Sequence, residues 1–247
     1  MDLNSDILVI GETCTDVFYY GKCDRLCPEA PVPVFVPVNI VRNPGMAMNV
    51  QKNIESLHGD CDIYTNHNWK EITKTRFVDY NTNQMFVRVD ENDDKVFRCN
   101  VRDIPLDKYK VVVVSDYCKG FLLEEDIRYI CENHDCVFLD TKKILGDWCM
   151  GAKFIKINYA EYSKTKNSLP DQIKSRLIVT LGPKGCRYNG KVYPVSKVDI
   201  KDVSGAGDTF LSGLVVKYME TSDIEQSILY ANECATIAVQ KKGVTII

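Results

Sequence analysis

Residues 202–213 read DVSGAGDTFLSG, and the way this stretch folds decides what kind of molecule the chain builds. After Asp208 the apolar residues Phe210, Leu211, Leu214, Val215, Tyr218 and Met219 recur one turn apart, which predicts a helix with an apolar stripe beginning at the glycines. A glycine-rich turn that opens a helix presents backbone N–H groups without intrahelical acceptors, and the helix dipole adds partial positive charge there. Anions collect at such places. Gly205, Ala206 and Gly207 carry almost no side chain to keep a phosphate from the amides, and Asp208 follows in the first turn. A carboxylate beside a phosphate pocket can take a proton from a hydroxyl while the amides absorb charge on a phosphoryl group in transit. The same dodecamer also reads as a plain helix start with an acidic cap. Both readings stand on these residues, and the rest of the chain has to separate them.

Working outward, the apolar runs ILVIG (Ile7 to Gly11), VVVVSD (Val111 to Asp116), CVFLD (Cys136 to Asp140), FIKIN (Phe154 to Asn158) and LIVTLG (Leu177 to Gly182) predict strands buried on both faces. Helical patterns such as LLEEDIRYICENH (Leu122 to His134) lie between some of them, so the alternation predicts an α/β fold with a mostly parallel central sheet. DVFYYG, APVPVFVPV and TRFVDYNTNQMFVRVDENDDKVFRC instead alternate apolar with polar residues. They predict a small antiparallel β lid built from two insertions, about residues 15–40 and 75–100. YNGKVY (Tyr188 to Tyr193) predicts a hairpin on Asn189-Gly190. Ser222 with Glu225 predicts a capping box for a second C-terminal helix, closed by Lys241, Lys242 and Gly243. The 247 residues read as one domain.

A formal net charge of -3 gives no basic footprint, so no nucleic-acid partner is expected. The eleven cysteines contain no C-x-x-C pair. Cys23 and Cys27 have none of the three histidines (His58, His67, His134) close by in sequence. That spacing predicts reduced thiols rather than a zinc site. The start MDLNSDILVIG lacks a basic flank and a long apolar region, and no run is long enough to cross a bilayer, so a cytoplasmic protein without membrane contact is expected. There is no G-x-x-x-x-G-K-[ST], and VIGETCTD lacks the glycines of G-x-G-x-x-G, which excludes the two commonest nucleotide loops.

DVSGAGDTF resembles the D-T-x-G-A-G-D-x-F signature of the ribokinase (PfkB-type) family of carbohydrate kinases. NPGMAMNVQKNIESLHG (Asn43 to Gly59) resembles that family's G-G-x-x-x-N helix, NYAE (Asn158 to Glu161) its N-x-x-E, and TLGPKG (Thr180 to Gly185) its T-x-G-x-x-G turn. Within the family, RLCPEAPVPVF, EITKTRF, VRVDEND and VVVVSDYCKG resemble the branch that phosphorylates D-glycero-D-manno-heptose 7-phosphate for ADP-heptose and lipopolysaccharide synthesis. The resemblance implies a ribokinase-like three-layer sandwich. It also implies an ATP- and Mg²⁺-dependent transfer to the anomeric hydroxyl of a phosphorylated heptose. That branch often joins the kinase to a nucleotidyltransferase bearing H-x-G-H; these residues contain no such turn, so phosphorylation alone is expected.

By resemblance Asp208 is the base that deprotonates the sugar, and the amides of Gly205, Ala206 and Gly207 form the anion hole. Asp16 accepts sugar hydroxyls, while Gly45 and Asn49, four residues apart and expected on one helix face, meet the sugar. Asn158 and Glu161 serve the nucleotide side, with Glu161 organising Mg²⁺ through water. Thr180, Gly182 and Gly185 form the nucleotide turn, and Asn232 faces the adenine. Arg25, Arg42, Arg76, Arg88 and Lys119 are candidates for the substrate's own phosphate, with Arg88 ranked first by its place in VRVD. The aromatic FYYG edge suits a homodimer through the lid.

Four departures from the family pattern stand out. Met46 replaces the second glycine of G-G-x-x-x-N, and DTKK moves a basic residue of the D-P-K motif to Lys142. Only ten residues separate Thr65 from Arg76, fewer than the dozen or so a parallel crossover needs, so a helix and an edge strand of the usual fold are expected to be missing. The chain given also ends at GVTII, short of the family's terminal strand and helix. Two other functions are compatible with these residues: a kinase of another sugar or nucleoside, or a ribokinase-fold binding protein without catalysis.

Overall fold

The computed structural model describes residues 5–247. In chain order its strands are β1 (Ile7–Gly11), β2 (Thr13–Lys22), β3 (Val36–Met46), β4 (Asp62–Tyr64), β5 (Thr73–Asp79), β6 (Met85–Glu91), β7 (Val111–Asp116), β8 (Val137–Thr141), β9 (Phe154–Asn158), β10 (Leu177–Thr180), β11 (Cys186–Tyr188) and β12 (Lys191–Tyr193). The helices are α1 (Ala47–His58), α2 (Glu124–Glu132), α3 (Tyr159–Thr165), α4 (Asp171–Lys174), α5 (Ala206–Thr221) and α6 (Ile224–Ala238).

The apolar runs form one sheet in the order β12-β11-β10-β9-β8-β7-β1-β4, parallel from β10 to β4 and antiparallel at the β11–β12 hairpin. Strand alternation divides its two cores. Ile7, Val9, Val111 and Val113 pack with apolar residues of α1, α5 and α6, while Leu8, Ile10, Val112 and Val114 pack with those of α2 and α4. The result is the three-layer, ribokinase-like α/β sandwich. From β1 the chain steps outward to β4 and later returns to β7 on the other side, so the strand order reverses between β1 and β7. In open α/β sheets the crevice beyond the strands' carboxyl ends at such a reversal is where ligands bind.

The second sheet, in order β3-β2-β5-β6, is the lid. Its outer pairs are antiparallel as expected, but the central pair β2–β5 runs parallel. The reason lies in the main sheet. β2 continues from β1 and β5 from β4, and β1 and β4 are parallel neighbours, so both strands leave the body in the same direction. Between β4 and β5 stands only a single 3₁₀ turn, Trp69–Glu71. As the short spacing predicts, no helix or further strand follows β4 at that edge among the described residues.

Three local expectations are corrected. α1 begins at Ala47 because β3 runs on to Met46, so Gly45 lies at a strand end rather than on Asn49's helix face. α5 is buried continuously from Asp208 to Val216 instead of along one stripe, since α1 and α6 cover the sides the sheet does not. The cap of α6 is Asp223, whose side chain accepts from the N–H groups of Glu225 and Gln226. Ser222 has the left-handed conformation that ends α5, and α6 stops at Ala238, before Lys241.

Candidate active site

Gly205 caps α5 with φ +78°, a conformation open to glycine, and Gly205, Ala206 and Gly207 line a crevice above the sheet, although the Ala206 N–H donates back to Val203 O at 3.3 Å rather than standing free as the sequence suggested. The Lys156 ammonium stands 3.0 Å from where a Cβ on Gly207 would be, so a buried cation lies beside the amides. Lys156 leaves β9 on the inner side and is held by Asp140 at the end of β8, Nζ to Oδ2 2.6 Å. Asp208 is 6% exposed. Its Oδ2 accepts from Asn49 Nδ2 at 2.8 Å and its Oδ1 from the Tyr117 hydroxyl at 2.6 Å. Burial pushes the Asp208 carboxyl above its ordinary range and Asp140 adds to this, while the two hydrogen bonds and Lys156 oppose it. Asn53 Nδ2 donates to Asn49 Oδ1 at 3.1 Å, which turns the Asn49 amide so that its NH₂ faces Asp208.

Asp16 and Gly45 meet across the β2–β3 edge, where a Cβ on residue 45 would collide with the Asp16 carboxylate. Asp16 is buried and paired with Arg76, which also lies over the Phe18 ring at 4.9 Å. Arg88 is more exposed and pairs with Asp90, Nε to Oδ1 2.7 Å. The lid register places Arg76 directly opposite Arg88 and therefore on the same face of the sheet. Lys119 joins Lys74 on Asp93. Arg25 and Arg42 are exposed.

On the other side of Asp208 a cavity of about 1050 Å³ opens, lined among others by Lys156, Asn158, Thr180, Gly182, Gly207 and Asn232. Asn158 and Glu161 cap α3 reciprocally, Oδ1 accepting from Glu161 N at 2.9 Å and Oε2 from Asn158 N at 2.7 Å. The remaining oxygen of Glu161 is bound by Lys142 at 2.7 Å, the lysine that the DTKK departure introduces. Gly182 and Gly185 form a 3₁₀ turn after β10, with φ +60° and +82°. Thr180 points back into the sheet, Oγ1 to Ile157 O 3.5 Å. Asn232 spends its amide NH₂ on Tyr193 O at 3.0 Å, which holds the hairpin to α6 at the cavity's far end.

No group of three or more His, Cys, Asp or Glu side chains stands close enough to hold a metal directly among the described residues. Asp140 is among the residues lining this cavity, and its buried Oδ1 has no hydrogen-bond partner. An orphaned carboxylate oxygen with Glu161 nearby fits an ion carried in on phosphates and held with few protein ligands, as Mg²⁺ is.

The profile of the pfkB family carbohydrate kinases matches residues 60–247. The chain belongs to this family. As a pfkB kinase it is a phosphotransferase acting on a sugar hydroxyl. It is 27% identical over 291 residues to the bifunctional protein HldE of Blochmanniella pennsylvanica, covering 97% of this chain and 61% of that protein. It is 29% identical over 296 residues to HldE of Vibrio parahaemolyticus, covering 98% and 62%. The pfkB kinase thus spans about three fifths of the length of these relatives. Both alignments are longer than its 247 residues, so the relatives carry insertions, in keeping with the direct passage from β4 to β5. Among solved structures it resembles the ribokinase of Thermotoga maritima (TM-score 0.73, 15% identity, covering 96% of this chain and 94% of that one). The nucleoside kinase of Methanocaldococcus jannaschii is similar too (TM-score 0.71, 16% identity, 97% and 93%).

Tyr117, Asp140, Lys156 and Glu12 were not singled out from sequence. Each lies at or just beyond the carboxyl end of a strand visible as an apolar run, or on it facing the crevice, and that placement was the available signal.

Proposed function

We propose that residues 1–247 form a single ribokinase-like domain that acts as an ATP- and Mg²⁺-dependent kinase of a heptose 7-phosphate, on its anomeric hydroxyl, in the route to ADP-heptose and lipopolysaccharide. The observation that carries the reading is Asp208 at the mouth of the GAG turn, with the lid's Asp16 and paired arginines on one side and the long cavity on the other. Asp16, Gly45 and Asn49 receive the sugar. Arg76 and Arg88 share one face of the lid, each paired with a carboxylate, Asp16 and Asp90, and the more exposed Arg88 is the one a substrate bringing its own phosphate would engage. Thr180, Gly182, Gly185 and Asn232 bound the nucleoside end of the cavity, and Asn158 stiffens the start of α3 beneath it.

In the transfer Asp208 takes the hydroxyl proton as the sugar oxygen forms its bond to the γ-phosphorus, and the bond to the β-phosphate oxygen breaks to release ADP. The amides of Gly205, Ala206 and Gly207, with Lys156, absorb the charge that develops on the moving phosphoryl group. Bound Mg²⁺, held by Asp140 and Glu161 through water, would neutralise charge on the nucleotide phosphates.

Free thiols at all eleven cysteines suit a reducing cytoplasm. No helix among the described residues is long and apolar enough to cross a membrane. The lid's outer face carries Ile40, Tyr19, Phe77 and Val87 in register, with Ile40 and Val87 exposed, and suits a second copy of the chain. Sedimentation equilibrium checks that pairing, with dimer expected and monomer contradicting it.

The substrate is tested by supplying ATP with a panel of sugars, nucleosides and sugar phosphates, following ADP release, and locating the new phosphate by ³¹P NMR. Heptose 7-phosphate should give the highest kcat/KM and a 1,7-bisphosphate. Turnover of a nucleoside or an unphosphorylated sugar, with heptose 7-phosphate inert, would overturn the substrate assignment. Inertness toward every acceptor would favour a binding protein on the same fold.

A further inference from the structure

Tyr117 follows β7 directly and has no part in the mechanism above, yet its hydroxyl donates to Oδ1 of Asp208 at 2.6 Å. Its position is held from three directions. Glu12, fully buried after β1, accepts from the N–H groups of Tyr117 and Lys119, both at 2.8 Å. Cys118 takes φ +58°, a conformation unfavourable for a residue with a side chain and kept only where neighbours fix it. The Lys142 ammonium stands 5.2 Å from the centre of the Tyr117 ring.

We propose that Tyr117 is a positioning residue for the phosphoryl transfer: its phenol, clamped through Glu12, fixes the orientation of Asp208 and supplies the hydrogen bond that keeps this carboxylate charged. The inference rests on the reading of Asp208 as the base. Burial, then the charges of Asp208 and Asp140, push the Tyr117 phenol well above its ordinary range, so it is the donor at any working pH. The groups facing Asp208 are Asn49 from α1, Tyr117 after β7, Asp140 from β8 and Lys156 from β9. Lys142 lies beyond the Tyr117 ring, and Asp16 of the lid also acts on the phenol. Asn49, Tyr117 and Lys156 favour the charged base, and the Lys142 ammonium acts in the same direction, against burial and Asp140. Each carboxylate oxygen has two lone pairs, so the phenol leaves Oδ1 a place for the sugar hydroxyl.

Tyr117→Phe removes one O–H and keeps the ring. Asp208 must be ionised to act, so activity is lost as pH falls through its pKa, and losing a donor to the carboxylate moves that acid limb to higher pH. A displacement of about one unit lowers kcat/KM about tenfold below the limb and changes it little above. Nucleotide affinity, measured by calorimetry, should stay within about threefold, because the hydroxyl is spent on Asp208. Glu12→Gln, which turns one accepting oxygen into a donor facing an N–H, should move the limb in the same direction and serves as the reading if Tyr117→Phe does not fold. A uniform loss with the limb unmoved, or no loss, overturns the proposal and leaves Tyr117 a packing residue. Turnover surviving in Asp208→Asn would instead remove the base reading itself, so the two failures are told apart.

Discussion

Lys156→Met removes one ammonium while keeping most of the side chain's volume. Lys156 and Asp140 are each 4% exposed, joined at 2.6 Å, and the other Asp140 oxygen has no partner. Without the cation a buried carboxylate is left with neither oxygen paired, a loss of about 3–5 kcal/mol. For a chain of this size each kcal/mol lowers Tm by about 2–4 °C, so a fall of roughly 6–20 °C follows. Lys156→Met with Asp140→Asn exchanges the pair for neutral groups and should recover most of that loss. Activity should not follow stability. If the ammonium beside Gly207 stabilises charge on the phosphoryl group, the double variant will turn over about 10²–10³-fold more slowly than Asp140→Asn alone. Scanning calorimetry and coupled ADP release, run on the parent, both single variants and the double, separate the effects. Equal turnover in the double variant and in Asp140→Asn would refute a role for Lys156 beyond holding Asp140.

Met46 has φ +59° and is 5% exposed, so Met46→Gly relieves backbone strain of about 1–3 kcal/mol but forfeits a buried side chain of about 2–5 kcal/mol. The packing term is the larger, and urea unfolding should show a net loss of about 1–2 kcal/mol. Asp223→Ala removes the cap of α6 and should cost about 1 kcal/mol, whereas Ser222→Ala should change stability by less than about 0.5 kcal/mol in the same measurement.

The parallel strands were legible because strands covered on both faces must be apolar throughout, and ILVIG, VVVVSD and FIKIN coincide with β1, β7 and β9 residue for residue. The GAG turn was legible because few other local patterns expose so many amides at a helix start. What surrounds Asp208 was not, because Tyr117, Asn49 and Lys156 come from three separate elements that converge only through the order of strands in the sheet. The two lid arginines show the same limit. The sequence offers both as candidates for a phosphate, but only the β5–β6 register puts them on one face, and only the β2–β5 pairing buries Arg76 against Asp16 and leaves Arg88 toward solvent. The start of α1 was misplaced because Pro44-Gly45 reads as a helix opening, and only the pairing of β3 with β2 shows the strand continuing to Met46.

The most direct test of the phosphate-and-base site is Asp208→Asn, assayed for turnover at saturating ATP and sugar phosphate alongside calorimetric nucleotide binding. Turnover should fall by at least about 10²–10⁴-fold, the contribution of a positioned base, with nucleotide affinity unchanged within about threefold because the grip belongs to the backbone amides. A variant that still turns over at the parent rate, or one that loses nucleotide together with activity, would contradict the roles given to Asp208 and the GAG turn.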